Sequence, residues 1–168
     1  HCLGVAIYSL MIAKKLNYNS PQVHFKLAMA GLFHDIGKKE IEREVLDKAR
    51  PLLSLAERKK IESHVQRSRE IMESIPGIPS DVVQIIYEHH EDELEQGYPC
   101  ATPKLRLHPL SRIVHIANLF VNRAVKSPTN PGALAEVAFA QIEKFDSSRV
   151  NPVCLAALKQ VVLQKKAA

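Results

Sequence analysis

Apolar residues recur along this chain at three- and four-residue intervals, and no pair of alternating runs suggests strands. The spacing predicts a first helix over residues 2–16. A second opens with Ser20 as N-cap and Pro21 at the first helical position and ends near Ile36-Gly37. A short helix follows over 41–49. Ser54-Leu55-Ala56-Glu57 is a capping-box pattern that starts a helix running to about Ile75, where "PGIP" stops it. Further helices are expected over 80–94, 109–126, 132–145 and 152–166. "EQGYPCATP" is a loop, and "SPTNPG" and "SSRVNP" separate the last three helices. The expectation is an all-α, single-domain bundle of about seven to eight helices covering residues 1–168.

Four of these helices interrupt their apolar face with a polar residue that can bind metal. Val82-Val83, Ile85-Ile86 and His89-His90 fall at i, i+3 and i+7, so the histidine pair continues the stripe. Leu27, Ala30, Gly31 and His34 share a face, with Asp35 four residues after Gly31. His64 falls among Ile61, Ser68, Ile71 and Ile75, and Asn118 stands between Val114 and Val121. One such residue is usually a core side chain with a private hydrogen-bond partner. Four together ask for a common one, because each buried polar group left unpaired costs roughly 1–3 kcal/mol. A metal centre would satisfy them all. Neighbours on a helix diverge by about 100°, so the adjacent pairs His34-Asp35 and His89-His90 suit two ions better than one closed site. Imidazole and carboxylate without thiolate favour iron or manganese. His24, His108 and His115 have no such company and read as ordinary helix or loop histidines.

Composition narrows the picture. At 168 residues and 46% hydrophobic, the chain can bury a core. No apolar run approaches the ~20 residues that cross a bilayer, and no signal peptide is visible. Cys2, Cys100 and Cys154 never form a Cys-x-x-Cys pair, which argues against a disulfide framework or a thiolate zinc site and for a cytoplasmic setting. The net charge is +5, yet the basic runs Lys38-Lys39, Arg58-Lys59-Lys60 and Lys165-Lys166 are short and lack interleaved aromatics. They read as solvated helix faces, not as a nucleic-acid surface. The chain opens at His1 within a helical pattern, as expected of an excerpt from a longer protein.

"HDIGK" at 34–38, His64, "HHE" at 89–91 and "GYP" at 97–99, with five residues between the last two, resemble the HD-GYP family of bacterial phosphohydrolases. The resemblance runs from His1 through "VLDK" at 45–48 and "SRIVHIAN" at 111–118 to "FD" at 145–146. It implies an all-α domain of the HD type whose site holds two or three metals and cleaves cyclic di-GMP in second-messenger signalling. Carried over by position, His1, His34, Asp35, His64, His89, His90 and Asn118 would be metal ligands, with Asp35 between the ions. Lys38 would contact the substrate phosphate or the attacking water, and Gly97, Tyr98 and Pro99 would form a loop beside the substrate. Glu91 would orient a histidine from behind. The chain departs from the family pattern at Asn118, where an aspartate is usual, at Leu94-Glu95 before "GYP", at Gly4, and at "SPTN" over 127–130. These departures keep open a second reading, a signalling module that binds metals and cyclic di-GMP or partner proteins without turnover. A nucleotide phosphohydrolase of the wider HD superfamily would leave "GYP" unexplained.

Overall fold

The computed structural model describes residues 1–163. Its helices are α1 (Cys2–Lys15), α2 (Pro21–Phe33), α3 (Arg43–Leu46), α4 (Leu55–Glu62), α5 (His64–Glu73), α6 (Ser80–Glu88), α7 (Pro109–Ala124), α8 (Ala135–Phe145) and α9 (Pro152–Leu163), with short 3-10 turns at Ile36–Glu40, Arg50–Leu52 and Lys104–Arg106. All except the one-turn α3 have eight residues or more, in line with the seven to eight helices expected. Apart from one isolated bridge between Ser127 and Asn130, the described residues form no β-structure. The expected end of the last helix, to residue 166, and Lys165-Lys166 lie outside the described residues.

α7 is the centre of the bundle. Leu110, Ile113, Val114, Ile116, Ala117, Phe120 and Val121 are all buried, and so are Ser111, His115 and Asn118, so the helix is enclosed on nearly every side and carries a buried polar stripe among its apolar contacts. α1, α6, α8 and α9 pack around it. Val5 and Ile12 from α1, Leu27 from α2, Met72 from α5, Ile85 and Ile86 from α6, Ile142 from α8 and Leu158 from α9 complete one shared core. Each fully buried aliphatic side chain contributes about 1.5–3 kcal/mol. α1 and α2 approach closely because residue 31 is glycine: a Cβ there would lie 2.5 Å from Ala6 Cα.

The helix expected over 41–49 shrinks to the single turn of α3, and three others end or break early at candidate site residues. α2 stops at Phe33 instead of Ile36-Gly37. The chain then turns through His34 and Asp35 into a 3-10 segment tied to α5 by the Gly37 amide, which donates to Ser68 Oγ at 2.9 Å. The helix expected from Ser54 to Ile75 has the capping box at its start, with Glu57 N donating to Ser54 Oγ and Ser54 N to Glu57. It breaks at Ser63, whose hydroxyl donates to the Lys60 carbonyl at 2.8 Å and competes with the helical ladder. The buried face of α5 is accordingly His64, Val65, Ser68 and Met72, and Ile75 is exposed. The helix expected over 80–94 ends at Glu88 because the groups that would extend it are engaged elsewhere. The amide of Glu93 donates to the Arg149 carbonyl, and that of Leu94 to Asp92 Oδ1. The carbonyls of His89 and His90 accept from the His115 ring and the Tyr98 amide.

Candidate metal centre

Those early helix ends aim the histidines. His34 caps α2, His64 follows the end of α4, and His89 caps α6. In each, the ring folds back so that Nδ1–H donates to the carbonyl three residues earlier: His34 to Gly31 (2.9 Å), His64 to Ile61 (2.6 Å) and His89 to Ile86 (2.6 Å). These carbonyls belong to the last turn of a helix, where amide donors run short, although that of Ile61 also accepts a capping backbone N–H. One bond therefore completes the helix end and fixes the imidazole tautomer, leaving Nε2 as the free nitrogen.

The free nitrogens converge on Asp35. Its Oδ1 lies 3.0 Å from His64 Nε2 and 3.8 Å from His89 Nε2, and its Oδ2 lies 3.3 Å from His34 Nε2 and 3.7 Å from His1 Nε2. His64 and His89 present Nε2 to each other at 3.3 Å, as do His1 and His34. Two groups of ligand atoms result, each within a 4.8 Å span: Asp35, His64, His89 and His90, and His1, His34 and Asp35. The aspartate is common to both. Burial raises the Asp35 pKa, but the neighbouring His34, His64 and Lys38 outweigh it and hold the carboxyl well below its usual range. Burial, with His34 next, drives the His89 pKa far down, and burial with His89 does the same to His90, so both rings stay neutral with bare lone pairs. Asp35 Oδ1 is buried without a hydrogen-bond partner. Lys38 answers Oδ2 alone, and the bare nitrogen of His89, 3.8 Å from Oδ1, repels the carboxylate in a site of low dielectric unless a cation lies between them. The residues present, two groups of imidazole and carboxylate ligand atoms sharing Asp35, fit a pair of divalent ions.

The remaining expected residues divide. Lys38 Nζ donates to Asp35 Oδ2 at 2.7 Å, so it stands at the same carboxylate. Tyr98 stacks on His90 with ring centroids 4.5 Å apart, and Gly97 brings the loop against the backbone below, where a Cβ would lie 2.5 Å from Glu91 Cα. Pro99 follows through a cis peptide bond. Glu91 does not orient a histidine from behind. Its carboxylate accepts from the amides of Cys100 (2.8 Å) and Thr102 (2.9 Å) and so ties down the far side of the Gly97–Pro99 loop. The histidines are instead held by backbone carbonyls. Asn118 is buried on α7, but its amide oxygen accepts from Asn122 at 3.0 Å, and no hydrogen bond joins it to the cluster among the described residues. His115, read from the sequence as ordinary, is buried and donates through Nδ1 to the His89 carbonyl at 3.1 Å. Its signal was position: it shares the buried polar stripe of α7 with Ser111 and Asn118, one turn before the latter.

A family model described as an HD domain matches residues 4–153. The chain is 26% identical over 162 residues to the 3'3'-cGAMP-specific phosphodiesterase 3 of Vibrio cholerae, covering 96% of this chain and 35% of that protein. It is 24% identical over 161 residues to the cyclic di-GMP phosphodiesterase PA4108 of Pseudomonas aeruginosa, covering 96% and 38%. The chain thus spans little more than a third of the length of these relatives. The solved structure of Bd1817, an HDG"Y"P protein from Bdellovibrio bacteriovorus, superposes with a TM-score of 0.80 at 17% identity, over 96% of this chain and 51% of that one.

Proposed function

The chain belongs to the HD domain family, and on that premise we propose that it is a metal-dependent phosphodiesterase that hydrolyses a cyclic dinucleotide, cyclic di-GMP foremost. The observation that carries this reading is the single carboxylate of Asp35 lying in two groups of ligand atoms. Asp35, His64, His89 and His90 would hold one ion, and His1, His34 and Asp35 the other, with iron or manganese the metals their chemistry favours. Such a pair supplies activation of an attacking water and charge stabilisation at the phosphate.

The protein's own part is positioning. Asp35 stays ionised and would be shared between the ions. The carbonyl-anchored histidines keep their Nε2 atoms fixed before any ligand arrives. Lys38, held by a 3-10 turn one step from Asp35, can turn to offset negative charge building on the phosphate. Tyr98 closes the side over His90. Burial, and after it the nearby Asp35 and Glu62, raise the Tyr98 pKa, so the phenol presents no negative charge to an anionic ligand. The names of the relatives, one acting on 3'3'-cGAMP and one on cyclic di-GMP, support the cyclic dinucleotide class.

The test is to purify the protein anaerobically, measure its metal content, and incubate it with cyclic di-GMP, 3'3'-cGAMP and a linear dinucleotide. Two ions per chain and cleavage of a cyclic dinucleotide are expected. One ion or none, or cleavage of mononucleotides alone, would reject the reading. The Asn118–Asn122 bond favours a second reading, a signalling module that binds without turnover, because a neutral amide already engaged occupies the position where the HD-GYP resemblance implies a carboxylate ligand. Asn118→Asp keeps the acceptor for Asn122 and adds a charge. We expect it to hold metal more tightly against a chelator, and unchanged retention would place residue 118 out of reach of the ions.

A further inference from the structure

A cleft of ≈ 200 Å³ lies beside the candidate metal centre, lined among others by Lys48, Arg50, Arg58, Glu62, Tyr98 and Thr129. Tyr98 belongs to both places, since its ring stacks on His90 and also lines the cleft. Three cations meet one acid here. Arg50 lies 3.7 Å from Glu62, and Lys48 pairs with Glu57, which does not line the cleft. Arg58, on α4, makes no ion pair among the described residues, and its Nε is buried without a hydrogen-bond partner.

A guanidinium N–H removed from water and left without an acceptor is costly, and an acceptor brought from outside removes that cost. The fork of an arginine matches the oxygens of a phosphate, and Lys48 and Arg50 add charge without demanding a fixed geometry. A cyclic dinucleotide carries two phosphodiesters in one ring, so when one lies at the metal centre the other must lie a short way off. We propose that the cleft of Lys48, Arg50, Arg58 and Tyr98 is an anion subsite that takes the second phosphate of the dinucleotide, the one not being cleaved. This rests on the cyclic dinucleotide reading above and adds to it a residue set that selects two-phosphate ligands.

The probes are cyclic di-GMP and guanylyl-(3′→5′)-guanosine, which has one phosphate, with binding to the metal-loaded protein measured by calorimetry. The wild type should bind the two-phosphate ring roughly tenfold or more tightly than the one-phosphate dinucleotide, the scale of one charge-assisted hydrogen bond. Arg58→Gln and Arg50→Gln should each reduce that preference towards unity while metal content is unchanged. Arg50 has a side chain 74% exposed, so its variant reports on the cleft even if Arg58→Gln fails to fold. A preference unaltered in the folded variants would overturn the subsite and leave the proposed function standing. A wild type that holds two ions but binds neither dinucleotide would overturn the substrate reading, and the subsite with it.

Discussion

Asp35 can be treated as a charge placed between two sets of lone pairs. Its side chain is 11% exposed, and its oxygens divide the work, Oδ1 facing His64 and His89 and Oδ2 facing His34 and His1. Replacing it with its isosteric amide keeps the shape and removes the charge, and it turns one position into an N–H donor that faces any cation unfavourably. Asp35→Asn should therefore lose both ions together, because one residue serves both groups. Metal analysis of the purified variant checks this, and retention of one full ion would mean that the carboxylate serves a single site. Lys38 makes the same point from the other side: an ammonium already sits 2.7 Å from Oδ2, where the local field favours positive charge.

At the scale of elements, the site is built from helix ends, and this decides what could be read from the sequence. The buried stripes of α6 and α7 and the capping box of α4 were legible, because periodicity and capping are local. So was the convergence of His34, Asp35, His64, His89 and His90, since polar residues on inner faces need partners. The places where α2, α4 and α6 stop were not legible, unlike the ends of α1 and α8. α6 ends at Glu88 because of the Arg149 carbonyl and the His115 ring, both far away in sequence. The same long-range cause hid the role of Glu91, whose partners Cys100 and Thr102 become neighbours only after the loop folds back. That return requires Gly97, packed against the backbone of His90 and Glu91. Gly97→Ala should cost about 1–3 kcal/mol, the usual scale of overpacking, and should weaken metal retention by shifting His90. A melting temperature and chelator resistance equal to wild type would show that the loop can move without disturbing the cluster.

For the molecule as a whole, the buried imidazoles tie stability to acidity. Burial, first among the causes, lowers the pKa of His89, His90 and His115, whereas the same residues in an unfolded chain titrate near 6.5. Below about pH 6.5 the unfolded state takes up protons that the folded state refuses, so stability falls as pH falls. Asp35 acts in a different window. Its depressed folded pKa contributes stability above the unfolded value near 3.9, and that is lost only as pH drops towards the folded value. Chelator-treated protein should thus melt several degrees lower at pH 5.5 than at pH 7.5, and a flat or rising profile would contradict the buried neutral rings. No helix among the described residues is long and apolar enough to cross a membrane. The anchoring of His34, His64 and His89 to the carbonyls of Gly31, Ile61 and Ile86 has a consequence for how this chain can drift through sequence space. Where a carboxylate side chain holds an imidazole, one codon change releases it. A main-chain oxygen is offered by every amino acid, so the aim of the His64 and His89 rings survives replacement of Ile61 or Ile86 by other side chains that the packing there admits, whereas at residue 31 only glycine fits against Ala6. Heritable loss of function should then concentrate in the side chains with no backbone substitute, Asp35 above all, and in the close-packed glycines at 31 and 97.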